Sequence, residues 1–195
     1  MTSTVAALAT FAVLRFAPAA FAESADQARS FVEQTATEIT GIVNGPAPDA
    51  QKEQDMTRII DRAVDVDDIG RFCLGRFWRT ASPQQQRDYI NLFHRVLTIN
   101  ITGKIGEYRG VSVSIGNAVD REGAVAVSST VNRPGNAPAR VDWVVSDASG
   151  SPKIIDVIAE GTSLRITQRQ DYASYLSRNG NNVQALIDAM RKQVS

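Results

Sequence analysis

Cysteine occurs once in the 195 residues, at Cys73, so the chain can form no intrachain disulfide and no multi-cysteine metal site. Histidine also occurs once, at His94, which removes the His-rich zinc and iron centres. Neither charge sign is in excess, since 21 Lys and Arg face 21 Asp and Glu, and that balance argues against a nucleic-acid binder relying on a broad basic surface. No glycine-rich phosphate loop follows a strand-like segment, and neither a G-x-S-x-G nor an H-E-x-x-H pattern is present. Beyond the N-terminal segment no stretch is apolar and long enough to cross a bilayer. What remains, 43% hydrophobic and 22% charged, reads as one globular domain that can bury its own core.

The N-terminal segment reads as a leader and not as part of the fold. Residues Val5 to Leu14 form a mostly apolar stretch, and Ala20-Phe21-Ala22 fits the small-x-small rule for signal peptidase. No positive charge precedes the apolar stretch, a departure from the usual pattern, since Arg15 lies after it. Arg15 and Pro18 interrupt what a membrane span would need, roughly 20 apolar residues in a row. The expectation is a signal peptide over residues 1–22 and a single mature domain over residues 23–195, in an extracytoplasmic space.

Helical periodicity dominates the first half of the mature chain. Ala28, Phe31, Val32, Ile39 and Val43 mark a helix over Ser24 to Val43, ahead of Gly45-Pro46-Ala47-Pro48. A second helix spans Asp49 to Ala63, and a third, from Val66 to Leu74, ends at Gly75. Ser82-Pro83-Gln84-Gln85 is a capping box with proline at the first helical position. The helix it opens is expected to run towards Tyr108, with Tyr89, Leu92, Phe93, Val96, Ile101, Ile105 and Tyr108 on one stripe.

The period then changes from 3.6 to 2. Val111, Val113 and Ile115 alternate with polar residues, as do Val125, Val127, Ser129 and Val131 with Ala126, Ser128 and Thr130. Val141, Trp143 and Val145 form a third alternating set, and Ile154 to Ala159 is apolar except for Asp156. Turn-forming residues join these runs, at Asp120-Arg121-Glu122-Gly123, Pro134-Gly135-Asn136 and Ser149-Gly150-Ser151-Pro152. Two further helices follow, one capped by Thr162 or Ser163 and ended by Asn179-Gly180, the other over Val183 to Arg191. The order predicts an α+β fold, a four-stranded antiparallel sheet wrapped by helices.

Few residues suggest chemistry. His94 stands at the margin of an apolar stripe and would act as a base only with an Asp or Ser in hydrogen-bond reach. Asp156 interrupts an apolar strand. It faces solvent, pairs with an arginine, or serves as a base inside a cavity. Cys73, between Phe72 and Leu74, reads as a small packed hydrophobe. The cluster Arg71, Phe72, Arg76, Phe77, Trp78 and Arg79 fits either a core corner or the mouth of a pocket that receives a phosphate.

Two of these segments together resemble a known family. Arg71-Phe72-Cys73-Leu74-Gly75-Arg76-Phe77-Trp78-Arg79, followed by Ser82-Pro83-Gln84-Gln85 and Phe93, is similar to the R-x-x-L-G-x-x-W-R and S/T-P-E-Q order of the MlaC/toluene-tolerance auxiliary proteins. The stretch from Ile155 to Leu164, with Arg169 after it, resembles that family's DV-x-x-EG-x-SL segment. The resemblance runs from about Ala25 to Met190.

It implies a non-enzymatic periplasmic lipid carrier without a cofactor, ferrying phospholipid between an outer-membrane lipoprotein complex and the substrate-binding component of an inner-membrane ABC transporter. A hopanoid-associated branch of the family makes a triterpenoid cargo the alternative, and a small cavity enzyme using Asp156 or His94 is the alternative of another class. An acyl chain of ~16 carbons costs on the order of 12 kcal/mol to expose to water, so a carrier needs an apolar cavity and not a surface patch. Under this reading Val113, Ile115, Val125, Val127, Trp143, Val145 and Val157 supply one wall, and Phe72, Phe77, Trp78, Leu92, Phe93, Val96 and Tyr108 the other. The same residues would fill an ordinary α+β core.

Overall fold

The computed structural model describes residues 19–195, with side chains from Ser24 onward. The expected leader therefore lies outside the described residues, except for the backbone of residues 19–22, which belongs to the first helix. Six helices and one sheet follow in the order α1 (Ala19–Asn44), α2 (Asp49–Ala63), α3 (Val66–Leu74), α4 (Pro83–Thr102), β1 (Ser112–Arg121), β2 (Ala124–Asn132), β3 (Ala139–Ser146), β4 (Lys153–Ala159), β5 (Thr162–Ser163), α5 (Leu164–Arg178) and α6 (Val183–Gln193). Two 3-10 turns, Gly75–Arg79 and Ile105–Tyr108, join α3 to α4 and α4 to the sheet.

Local signals set most helix ends. Ser82 caps α4 by accepting from the Gln85 amide at 3.2 Å, while the Gln85 side chain accepts from the Ser82 amide at 3.0 Å. That reciprocal pair satisfies two of the donors a helix start leaves open. Gly75 closes α3 at φ +58°, and a Cβ added there would lie 3.1 Å from Arg169 Nε. Both the backbone conformation and the approach of α5 favour glycine. Asp65, Ser163 and Asn182 cap α3, α5 and α6 through their side chains.

The long helix ends earlier than its apolar stripe predicts. Gly103 stands as its C-cap, and Ile105 to Tyr108 wind as a separate 3-10 turn. Glycine is a poor helix former, and once the axis breaks there the stripe loses its register. Ile105 is buried, whereas Ile101 and Tyr108 are 39% and 37% exposed. The first helix also begins before Ser24, and the last extends past Arg191.

The sheet is an antiparallel meander, β1-β2-β3-β4-β5. It has five strands, one more than expected, because Thr162 and Ser163 pair with Ala159 and Ile158 before Ser163 caps α5. The first two strands slip at Gly116 and Asn117, where a bulge separates the Ile115–Ser129 and Ala118–Val127 pairs. Gly116 lies so close to Ser128 that a Cβ would sit 2.6 Å from its Oγ. Arg29 of α1 donates to the Gly116 carbonyl at 3.2 Å, and the Ser128 hydroxyl donates to that of Asn117 at 3.0 Å.

Apolar side chains collect in separate clusters. The largest lies among the helices and includes Leu74, Phe77, Tyr89, Phe93, Leu176, Ile187 and Met190. Tyr89 is fully buried, donates to the Gly70 carbonyl at 2.9 Å, and stacks edge-on with Tyr172. A second cluster joins α1 to the sheet, through Ala28, Val32, Val125, Val127 and Val145. A third joins Ile59 and Ala63 of α2 to Ile154 of β4.

Asp156 links the sheet to the helices. Its carboxylate is 5% exposed. One oxygen accepts from the Val157 and Arg165 amides at 2.8 and 3.1 Å. The other accepts from the Ser163 hydroxyl at 2.6 Å and lies 3.6 Å from Arg165 Nε. Of the sequence-based alternatives, solvent exposure is thus corrected and the arginine partner observed. A charge this deeply buried is tolerated because hydrogen bonds meet both oxygens.

Two outcomes follow from this packing. Asp156→Asn exchanges an oxygen facing Ser163 and Arg165 for an amide and removes the charge, so it should destabilise the fold by about 2–3 kcal/mol, read from the shift in urea midpoint. The second concerns alkaline pH. Burial pushes the Cys73 thiol up to about 12 and raises the Tyr89 and Tyr172 phenols above their usual range. The folded chain keeps these protons where the unfolded chain releases them. Their contribution is therefore full below about pH 8.5 and declines as pH rises from there. The thermal midpoint should fall between about pH 9 and 11, and Cys73→Ala should flatten the first part of that decline.

Candidate functional site

Strand register decides which sheet residues share a face. Val113 stands opposite Val131 and Ile115 opposite Ser129. Val125 pairs with Val145 and Val127 with Trp143, and Trp143 pairs in turn with Val157. Directly opposed residues point to the same side of a sheet, so all seven sheet positions named from the sequence lie on one face. The bulge at Gly116 and Asn117 shifts the alternation by one and places Ala118 on that face as well.

Helix α1 covers this face. Ala25, Ala28, Phe31 and Val32 pack against Ile115, Ala118, Val125, Val127, Trp143 and Val145. The covering surface sets two alanines beside Phe31 and Val32. Val127 and Val32 are wholly buried, whereas Ile115, Trp143 and Phe31 are half-buried and form the margin of the seam. Val157 borders it from the third cluster, together with Phe31, Ile39 and Trp143.

The polar edge of Trp143 is satisfied within the sheet. Its indole Nε1–H donates to Ser129 Oγ at 2.9 Å, and that hydroxyl donates to the Val141 carbonyl at 2.9 Å. Only the apolar ring body is left to face α1. Ser129 was an ordinary alternating position in the sequence, and its role in orienting the indole emerges only from the Ser129–Val141 pairing. The α1 residues had a visible signal, apolar side chains at helical spacing, but nothing local told which layer they would cover.

The helical wall lies elsewhere. Leu92, Phe93 and Val96 of α4, together with Phe77, are buried in the main helical cluster, where Phe72 and Trp78 pack from the side. They do not join the α1–sheet seam, because α4 packs with α2, α3 and α6 and turns its apolar stripe towards them. Tyr108 departs furthest from expectation. It is exposed on the 3-10 turn, with the Arg133 guanidinium 5.2 Å from its ring centre. Two surface clefts are also present, of about 570 Å3 between α1 and α2 and about 470 Å3 between α5 and α6. None of the fourteen residues lines either one.

Neither residue of the enzyme alternative faces the apolar seam. Asp156 pairs with Val144, on the opposite side of the sheet from Trp143 and Val157, and is occupied by Ser163 and Arg165. His94 does meet an aspartate, Asp61 of α2, with Nε2 2.6 Å from its Oδ1, but the pair is exposed and joins two helices at the surface. Among the described residues no group of three or more His, Cys, Asp and Glu side chains is placed to hold a metal ion.

The two arginine-bearing segments singled out in the sequence meet in space. Two guanidinium groups approach the Phe72 ring, Arg165 at 4.5 Å and Arg169 at 4.9 Å from its centre. Arg71 lies over Trp78 and Arg76 over Phe77, at 5.3 and 4.9 Å. Arg165 reaches both Asp156 and Asp68, so α5, α3 and β4 share one charged seam.

Known proteins of two kinds are similar to this chain. The toluene tolerance protein ttg2D of Pseudomonas putida is 26% identical over 176 residues, which cover 84% of this chain and 80% of that protein. A phospholipid-binding protein of Ralstonia solanacearum, solved in complex with a phospholipid, shares the fold with a TM-score of 0.75 at 22% identity, covering 86% of this chain and 97% of that one. The family model described as MlaC protein matches residues 33–192, a span that takes in the second part of α1, the whole sheet and both arginine-bearing segments. The chain therefore belongs to the MlaC family.

Proposed function

We propose that this protein is a periplasmic lipid carrier that holds acyl chains between α1 and the apolar face of its sheet. The observation that carries the reading is the α1–sheet seam itself. Four strands direct Val113, Ile115, Val125, Val127, Trp143, Val145 and Val157 to one side, and five of these, Ile115, Val125, Val127, Trp143 and Val145, meet α1 in a cluster distinct from the main helical core. A core built only for stability gains little from keeping these layers apart. A carrier gains a surface that an acyl chain can occupy when one helix separates from the sheet, with the helical core left intact.

Energetics favour such an internal slot. Burying a chain of ~16 carbons is worth on the order of 12 kcal/mol, which a half-open surface groove would recover only in part. The headgroup stays at the margin of the seam, where its charge remains hydrated. Membership of the family, and the phospholipid complex of the Ralstonia protein that shares the fold, support this reading. Within it the carrier exchanges cargo between an outer-membrane lipoprotein complex and an inner-membrane ABC transporter, after export through the leader over residues 1–22.

Native mass spectrometry tests the reading directly. Residues 23–195, purified without detergent from a Gram-negative host, should carry a stoichiometric lipid, and extraction identifies it as phospholipid or triterpenoid. Ile115→Asp places a carboxylate at the half-buried margin of the seam and should reduce the loaded fraction at least fivefold, with the circular dichroism spectrum retained. His94→Ala should leave loading unchanged. A protein that stays empty after incubation with phospholipid vesicles would rule the carrier out.

A further inference from the structure

The chain carries no net charge, yet its arginines are unevenly paired. Along α3, the Gly75–Arg79 turn and the start of α5, which meet where Arg169 approaches Gly75, lie Arg71, Arg76, Arg79, Arg165 and Arg169. Asp67 sits 3.8 Å from Arg71, while Asp68 and the buried Asp156 are taken by Arg165. Arg76, Arg79 and Arg169 have no carboxylate within ion-pair distance among the described residues. Other nearby acids are directed away, Glu160 onto the Arg140 amide and Asp171 into the cleft between α5 and α6.

Two of the unpaired guanidiniums are held by stacking rather than by acids. Arg169 lies against Phe72 and beside Gly75, and Arg76 lies against Phe77. Stacking fixes the side chain while leaving its N–H donors open to a phosphate oxygen. The start of α5 also exposes two large aliphatic side chains, Leu164 at 52% and Ile166 at 47%. Ile166 is three residues before Arg169, so the two are neighbours on the helix surface. Isolated exposed aliphatics are ordinary. Here Ile166 adjoins the unpaired Arg169 and Leu164 stands two residues earlier in the same turn, and aliphatic groups flanked by guanidiniums match an anionic bilayer, whose headgroup phosphates lie just above its acyl boundary.

We infer that this face, led by Arg76, Arg79, Arg169, Leu164 and Ile166, docks the protein on the surface of a membrane rich in anionic phospholipid. The assignment is independent of where cargo sits, because it concerns a surface on the far side of the sheet residues from the α1 seam. The lipid contacted is part of the bilayer and is never extracted at this face. Arginine donates to the phosphates, and the two aliphatic side chains enter the interface beside them.

Vesicle flotation tests the inference with the mature chain. Phosphatidylcholine vesicles containing about 30% phosphatidylglycerol should float the protein, pure phosphatidylcholine vesicles should not, and about 0.5 M salt should release it. The Arg76→Gln/Arg169→Gln variant should bind at least tenfold more weakly, with its circular dichroism spectrum and lipid loading unchanged. Leu164→Ser/Ile166→Ser should weaken binding several-fold while keeping the salt dependence. Equal binding to neutral vesicles, no binding to either, or undiminished binding by the arginine variant would overturn the assignment. So would binding to soluble polyglutamate as tight as to the vesicles with Leu164 and Ile166 dispensable, an outcome that marks an acidic protein as the partner. Loading by native mass spectrometry is read separately, so failure here leaves the carrier reading standing, and the reverse.

Discussion

The carboxylate of Asp156 sits where three elements must agree, and most of the architecture beyond β4 depends on its hydrogen bonds. It receives the amide of its own neighbour Val157, the hydroxyl that caps α5, the amide of Arg165 in the first turn of that helix, and the Arg165 guanidinium at slightly longer range. An acid at the N-terminal end of a helix also complements the positive end of the helix dipole. With α5 so anchored, Arg165 and Arg169 are placed against Phe72, and α3 is drawn against α5. The packing of Cys73, whose sulfur approaches the Arg165 carbonyl at 3.5 Å, follows from the same docking. A residue that looked like an intruder in an apolar strand is the joint between sheet and helices.

That joint also explains a division of labour between the two sides of the sheet. The Asp156 side carries polar structure, with Asp142 paired to Arg140 and Asp156 bonded to the start of α5. The other side carries the apolar positions beneath α1. Because side chains alternate along each strand, the polar work and the apolar work are kept apart by geometry alone, and a change in one face need not disturb the other. Helix α1 is divided likewise along its length. It meets the sheet through Ala25, Ala28, Phe31 and Val32, whereas its second half, from Ile39 to Val43, packs into the helical core.

The parts of this design that sequence reading captured are those with local causes. The capping box at Ser82 and Gln85, the glycine at Gly75 and the period-2 runs of β1 to β4 each rest on interactions within a few residues, and the structure contains all of them. The shared face of the seven sheet residues was equally legible, since register in a short-linked meander preserves alternation. The helical wall was not. An apolar stripe on α4 states that Leu92, Phe93 and Val96 are buried, and carries no information about which layer buries them. Tyr108 failed for a nearby reason, since one glycine at Gly103 ended the axis on which its phase had been counted. The bulge that puts Ala118 on the apolar face depends on Gly116 meeting Ser128 across the sheet, a pairing with no sequence mark beyond the glycine itself.

Charge followed the same rule at a larger scale. Equal numbers of acids and bases excluded a broadly basic surface, and that inference stands for the chain as a whole. Net charge is a sum, though, and a sum is silent about pairing. Arg58 meets Asp55, Arg62 meets Glu38 and Arg191 meets Asp88 and Asp188, so acids are consumed along α1, α2, α4 and α6. Arg169 at Phe72 and Arg76 at Phe77 are held instead by aromatic rings, which fix a guanidinium without neutralising it. A neutral protein can therefore present a locally cationic face, and it does so where an aromatic side chain takes the place of the missing acid.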